Sequence, residues 1–219
     1  MLPQRHTKID DLTRPNHRYL EPEDPCYFLG EYTSGAGFST PTNDLILNFK
    51  IPPSELKKNP ARRRWKDGAI SEIAGALGRH LSNLKPGRLV TPVPTSKLPT
   101  HPDYDDRLLR ALNLSRATPA LITRELIKQR RSTAADHESD GRQTYDELLE
   151  NCYLDEQVAL PPPTGIVLVD DVLTEGKHFK VCQHLLRQRY GDAIPIAGFF
   201  VARRIHQDAD FDFDEFFSD

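Results

Sequence analysis

Two adjacent aspartates and a short turn follow directly on a run of apolar side chains. Residues 166–178 are IVLVDDVLTEGKH, so Asp170 and Asp171 come after four apolar residues, and Thr174, Glu175 and Gly176 follow closely. Two carboxylates can accept hydrogen bonds from neighbouring ribose hydroxyls and stabilise positive charge that builds at an anomeric carbon. Backbone N–H groups at the start of a helix can bind a phosphate. These residues therefore indicate a sugar-phosphate site.

The aspartate pair alone is compatible with several other classes of protein. Apolar strands ending in two acids also occur in Walker B motifs, response regulators and metal-dependent phosphotransfer enzymes. A P-loop NTPase would require G-x-x-x-x-G-K-[ST], whereas Gly176-Lys177 is followed by His178 and no matching glycine precedes it. The P-loop class is therefore excluded. A further alternative to ligand or Mg²⁺ contact is that the two aspartates only cap a helix.

Strands and helices alternate along the part of the chain that must position these residues. The apolar runs 88–94, 165–171 and 194–204 alternate with helical patterns, such as 69–84 before the first run and 178–190 before the last. The runs lack polar alternation, which is typical of parallel strands covered on both faces. The loops after residues 94 and 171 should then meet at the carboxyl edge of the sheet, where ligands bind.

The stretch 166–178 resembles the phosphoribosyl-pyrophosphate (PRPP) motif of type I phosphoribosyltransferases. Residues Ile166 to Thr174 and Gly176 match this motif, whereas Glu175 replaces a small residue and His178 replaces a hydroxyl residue. Over roughly residues 27–204 the order of segments is most similar to that of the ComF-like proteins. The resemblance implies an α/β fold with a mostly parallel sheet flanked by helices, a mobile hood over about 128–151, and an N-terminal extension.

The resemblance also assigns roles to individual residues. It implies that Asp170, Asp171 and Arg107 are catalytic and that the two aspartates hold Mg²⁺, whose preferred ligands are hard oxygens. Lys50 is a further candidate site residue, because LILNFK is similar to a segment of the family. The other implied contacts are a 5-phosphate loop (Val172, Leu173, Thr174, Glu175, Gly176, Lys177 and His178), a pyrophosphate loop (Thr95, Ser96 and Lys97) and hood cations (Arg130, Arg131 and Arg142).

The implied function is Mg²⁺-dependent phosphoribosyl transfer with release of pyrophosphate, on PRPP or a nucleotide phosphate. The alternative is a module of the same fold that has lost transfer chemistry and senses a nucleotide or works in a complex. Glu175 separates the two functions: facing the phosphate at about 4 Å, it would cost about 4 kcal/mol at an effective dielectric of about 20. If the Glu175 side chain points outward, this electrostatic cost falls to roughly a few tenths of a kcal/mol.

Composition limits the location and the partners of the protein. The formal net charge of -3 gives no overall attraction to nucleic acid or anionic lipid, so neither is expected as a partner. No signal peptide or membrane helix is evident, and we expect a cytoplasmic protein with three reduced thiols. A homodimer is the commonest assembly for such a chain.

The chain divides into three segments with different composition. Residues 1–25 are polar and predict an irregular lead-in, 26–206 form the main domain, and 207–219 form an acidic tail with four phenylalanines that is a candidate contact for a protein partner. The basic run 57–66 is interpreted as a solvated lead-in to a helix, and the alternative is a patch for an acidic partner.

Overall fold

The structure is a computed structural model that describes residues 2–115, 117, 121–133 and 143–205. These residues form eight strands: β1 (Thr7–Lys8), β2 (Cys26–Thr33), β3 (Arg88–Pro92), β4 (Ile122–Thr123), β5 (Ile127–Gln129), β6 (Cys152–Leu154), β7 (Gly165–Leu173) and β8 (Ile196–Ile205). They also form six α-helices: α1 (Pro41–Phe49), α2 (Pro53–Lys58), α3 (Arg63–Leu81), α4 (Arg107–Leu114), α5 (Tyr145–Asn151) and α6 (Lys177–Tyr190).

One six-stranded sheet organises the fold, in the order β1-β2-β8-β7-β3-β4. All pairs of neighbouring strands are parallel except the pair of β1 and β2. Strands β5 and β6 form a separate antiparallel pair. The predicted α/β class, with a mostly parallel sheet flanked by helices, is therefore confirmed.

Both faces of the sheet are buried, as the apolar runs predicted. Along β7, Ile166 and Leu168 pack in one core with α6, α5 and the β5–β6 pair. Val167 and Val169 pack in the other core, with α1, α3 and α4. Successive side chains of a strand point to opposite faces, so a central strand needs apolar residues at every position. Each such side chain contributes about 1.5–3 kcal/mol when fully buried.

The N-terminal segment packs on this domain. Strand β1 extends the sheet beside β2, and the side chains of Leu2, Ile9 and Leu20 are buried in the two cores. The part that contacts the candidate site is residues 17–24, which we call the strap. The strap crosses the start of α6, and its Asp24 accepts hydrogen bonds from Lys180 (3.0 Å) and Gln183 (2.9 Å).

The three cysteines are free and buried. Burial raises the pKa of Cys152 to about 11. Burial first, and then the neighbouring Cys152 and Asp170, raise the pKa of Cys182. Burial also raises the pKa of Cys26, so all three thiols favour the protonated form. Among the described residues, every helix is too short or too polar to span a bilayer.

Candidate functional site

The candidate site lies at the carboxyl edge of the sheet, where β3 ends before its neighbour β7. The last pair between the two strands is Pro92 with Val169, and β7 continues to Leu173 beside β8. Asp170 and Asp171 therefore lie inside β7, just past the end of β3. Strand alternation directs their side chains to opposite faces. The predicted pair of carboxylates is thus divided between two environments.

Asp171 is held by two cations from the α1 and α4 side of the sheet. Its Oδ1 lies 2.9 Å from Lys50 Nζ, at the end of α1. Its Oδ2 accepts hydrogen bonds from Arg107, at 2.6 Å from the terminal nitrogen and 3.2 Å from Nε. Burial acts to raise the pKa of Asp171, but the Lys50 and Arg107 charges outweigh it and hold the pKa well below its usual range. Both oxygens of Asp171 are thus occupied by the protein itself.

A second buried aspartate extends this network. Asp105 Oδ2 lies 3.0 Å from Arg107 and 2.6 Å from Lys66 Nζ. Lys66 is only 2% exposed and also donates to the carbonyls of Phe49 (3.1 Å) and Ile51 (2.7 Å). It therefore ties α3 to the end of α1, which carries Lys50. The network fixes two partly exposed cations, Lys50 and Arg107, at the edge of the sheet.

Asp170 is half-buried, and no cation among the described residues lies within ion-pair distance of it. Its Oδ1 accepts a hydrogen bond from the Asp171 N–H at 2.7 Å. Burial, and then the charge of Asp171, raise the pKa of Asp170 to about 7. Near neutral pH its carboxyl is thus present in both protonation states, and it can donate to or accept from a hydroxyl group. Of the two predicted acids, Asp170 is the one that can contact a ligand directly.

The predicted 5-phosphate loop divides into strand, turn and helix. Val172 and Leu173 are core residues of β7, so their side chains do not face a ligand. Thr174, Glu175 and Gly176 form the turn, and Lys177 and His178 begin α6. Gly176 has φ 86°, which favours glycine. A Cβ at this position would lie 2.8 Å from the side chain of Leu20 in the strap.

The strap holds the carbonyl groups of the turn. A ring nitrogen of the fully buried His17 hydrogen-bonds to the Thr174 carbonyl, and the Tyr19 N–H donates to the Glu175 carbonyl at 3.0 Å. The C=O and N–H of a planar trans peptide point in opposite directions. The N–H groups of Glu175 and Gly176 therefore point away from the strap. Together with the first N–H groups of α6, they form a surface that suits an anion.

The side chain of Glu175 also turns toward the strap. Its carboxylate lies 2.9 Å from the guanidinium of Arg18 and 3.9 Å from that of Arg204. Two cations thus balance one carboxylate at the turn. The electrostatic cost that a glutamate would impose on a bound phosphate is correspondingly reduced. Lys177, a cation of the predicted 5-phosphate loop, donates to the Gln143 carbonyl.

The predicted pyrophosphate loop is tied to the hood. The Thr95 hydroxyl donates to the Lys97 carbonyl at 2.9 Å, and the Ser96 carbonyl accepts from the Thr133 N–H at 2.8 Å. Lys97 Nζ donates to the Thr133 carbonyl at 2.9 Å, and Ser132 accepts from the Leu98 N–H. Lys97 is therefore committed to the hood backbone rather than directed at an anion.

The described part of the hood is built on β5, β6 and α5. The buried Asn151 accepts from the Arg131 N–H at 3.0 Å and donates to the Arg131 carbonyl at 3.1 Å, which locks the end of β5. The side chain of Arg130 is exposed, lies over the ring of Tyr153 and donates to the Glu150 carbonyl. Arg131 is exposed as well. The third predicted hood cation, Arg142, lies outside the described residues.

A magnesium site requires several oxygen ligands. Among the described residues, no group of three or more acidic, histidine or cysteine side chains could hold a metal ion. Asp171 is occupied by Lys50 and Arg107, which leaves Asp170 as the single carboxylate of the pair that could contact one. The described residues by themselves therefore do not fit a resident Mg²⁺, and a diphosphate would have to supply most of the ligands.

Two parts of the site were missed by the sequence analysis: Lys66 and the strap. Lys66 could have been found, because it lies four residues before Ile70 on the apolar face that continues through Ile73 and Leu77. A lysine on a buried face indicates a buried partner. The strap gives no such signal, because its contacts join residues more than 150 positions apart.

No protein-family model matches this chain. No curated protein matches it either. The function is therefore inferred from the motif and from the geometry of the site.

Proposed function

We propose that this protein binds a phosphorylated pentose, either PRPP or a nucleotide phosphate, at the carboxyl edge of β7, within a type I phosphoribosyltransferase-like fold. One observation carries the proposal. The central strand β7 carries Asp170 next to Asp171, and Asp171 holds the fixed cations Lys50 and Arg107. The turn after β7 directs the Glu175 and Gly176 N–H groups away from the strap. A carboxyl group, two cations and a set of backbone donors match a ribose, a diphosphate and a 5-phosphate.

The roles of the two aspartates differ in this proposal. Asp170 contacts the ribose hydroxyls and, when ionised, stabilises the positive charge at the anomeric carbon. Asp171 positions Lys50 and Arg107, which stabilise the negative charge on the leaving pyrophosphate. The bond from the anomeric carbon to the pyrophosphate oxygen breaks with its electrons on the oxygen, and the lone pair of the acceptor forms the new bond. A Mg²⁺ ion carried by the diphosphate would neutralise part of its charge.

Calorimetry with PRPP and Mg²⁺ tests binding, and pyrophosphate release with a panel of bases tests transfer. Asp170→Asn should lower PRPP affinity by about tenfold or more, because a hydrogen bond to a charged group is lost. Asp192→Asn is the control, since Asp192 is an exposed acid at the far end of α6. The proposal fails if the unmodified protein neither binds PRPP nor releases pyrophosphate.

A second candidate is a nucleotide-binding module without transfer activity. Two observations favour it: both oxygens of Asp171 are occupied by cations of the protein, and Lys97 is bound to the hood. PRPP binding without pyrophosphate release would support this candidate. In a module that has lost its chemistry, Glu175→Thr should strengthen phosphate binding because a negative charge is removed. If the same change weakens binding, Glu175 belongs to a working site.

A further inference from the structure

A basic corner joins α2 to α3 next to the candidate site. Lys57, Lys58, Arg63 and Arg64 are all exposed, and among the described residues none of the four has a carboxylate within ion-pair distance. Trp65, the only tryptophan in the chain, is 54% exposed, and the Arg64 guanidinium lies 4.8 Å from its ring centroid. A large exposed ring that contacts an arginine, within a stretch of sequence rich in exposed cations, is unusual for a solvated helix face.

Arg63 and Arg64 lie at the start of α3, where positive charge is electrostatically unfavourable. Helix α3 begins at Arg63, its N-cap residue Arg62 makes no side-chain capping bond, and its first turn contains no acidic residue. The positive end of the helix dipole disfavours cations there. By contrast, Thr40 caps α1, and a capping box with an acidic first turn begins α5. The corner therefore combines several features that an anionic partner would relieve.

The chain itself carries a segment of complementary chemistry. Residues 207–219 lie outside the described residues, and their sequence contains six acidic residues and four phenylalanines. The last described residue is Ile205, at the carboxyl end of β8, on the same edge of the sheet as the Lys66–Asp105–Arg107 network. Fourteen residues can span up to about 46 Å. This reach is comparable to the width of a domain of this size, so residues 206–219 are not confined to the neighbourhood of β8.

We propose that the acidic tail, residues 207–219, binds the basic corner of the same molecule. Its carboxylates pair with Lys57, Lys58, Arg63 and Arg64, and its phenylalanines contact Trp65. The effective concentration of a tethered segment is on the order of millimolar. A tail with an intrinsic Kd of about 10 µM would thus occupy the corner in about 99% of molecules. This proposal is independent of the proposed phosphoribosyl chemistry.

The single tryptophan provides the assay. In the full chain, the double change Lys58→Gln/Arg63→Gln and the triple tail change Asp210→Asn/Asp212→Asn/Asp214→Asn should each make Trp65 more accessible to acrylamide and shift its emission to the red. Combining the two sets should add little to either, because both remove the same contact. The control is the double change Arg79→Gln/Lys85→Gln. Both residues are exposed, Arg79 in the last turn of α3 and Lys85 just beyond it, so the accessibility and emission of Trp65 should stay unchanged.

Two further measurements separate a bound tail from a general change in stability. Neutralising Arg63 and Arg64 in the protein with the altered tail should raise its Tm, because the repulsion at the helix start is relieved. A synthetic peptide of residues 207–219 should bind the protein with the altered tail, and about tenfold more weakly when Arg63 and Arg64 are also neutralised.

The proposal is overturned if the tail change leaves Trp65 accessibility unchanged. A dependence of Trp65 accessibility on protein concentration would overturn it too, because the tail would then act on a second copy. Binding of a single-stranded oligonucleotide at Trp65 that the tail peptide does not compete with would assign the corner to nucleic acid instead.

Discussion

Asp170 makes stability depend on pH in a direction opposite to that of most aspartates. Its pKa is raised from 3.8 to about 7, by burial and then by the charge of Asp171. Below about pH 4 the carboxyl is protonated in both the folded and the unfolded chain. Between about pH 4 and pH 7 the folded state keeps the proton and the unfolded state loses it, so the free energy of unfolding falls as the pH rises.

The magnitude follows from the difference between the pKa of Asp170 in the folded chain and in the unfolded chain. A tenfold change in an acid dissociation constant corresponds to about 1.4 kcal/mol, so the raised pKa sets an upper figure of about 4 kcal/mol above pH 7. Partial exposure of Asp170 reduces this figure toward about 2 kcal/mol. Asp170→Asn removes the ionisation and keeps an oxygen for the Asp171 N–H. The variant should therefore be more stable than the unmodified protein by about 2–4 kcal/mol at about pH 8, and equal to it at about pH 4.

Urea unfolding at about pH 4, 6 and 8 measures this difference. Asp192→Asn is the control and should show less than about 1 kcal/mol at every pH, because Asp192 is exposed in a surface ion pair. The variant that gains stability should at the same time lose affinity for PRPP, as expected for a strained functional carboxyl. A pH-independent difference, or an Asp170→Asn protein that becomes less stable as the pH rises, would refute the argument.

Three other predictions concern the supports of the site. Asp171→Asn should lower the free energy of unfolding by about 3 kcal/mol near neutral pH, because two cations lose their counter-charge. Since the pKa of Asp171 is held low in the folded protein, this difference, measured by urea unfolding, should shrink as the pH falls below about 4. Gly176→Ala should lower the free energy of unfolding by about 2 kcal/mol, because the residue is left-handed and its Cβ would clash with Leu20. In a double-mutant cycle, the added change Leu20→Ala should relieve only the clash. Asn151→Ala should cost about 2 kcal/mol in chemical unfolding and expose the β5 end to hydrogen exchange, whereas unchanged exchange would contradict its role in the hood.

Much of the fold could be predicted because local patterns repeat along the chain. The apolar run of β7 predicted a strand buried on both faces, and the helical spacing after residue 177 predicted α6, with Gly191 at its end. These predictions succeeded because periodicity and capping depend on neighbours in sequence. The start of α3 was placed six residues late, because the charged corner hides the helical pattern there.

The sequence indicates where the candidate site lies but not how its side chains are arranged. Adjacency suggested that Asp170 and Asp171 act together, yet the strand continues through both, and its alternation separates them. Which acid is neutralised depends on Lys50 and Arg107, which reach Asp171 from two helices distant in sequence. Likewise, the motif marked Glu175 as an obstacle, and only the tertiary structure shows that Arg18 of the strap and Arg204 of β8 balance its charge.

The sequence by itself determined the strand, the turn and the glycine that allows the turn, since each depends on a few consecutive residues. The tertiary structure alone decided the ionisation of the two aspartates and the direction of the turn amides. Burial and charge act through space, and in this protein they come from α1, α4 and the strap, whose positions relative to β7 no local pattern encodes.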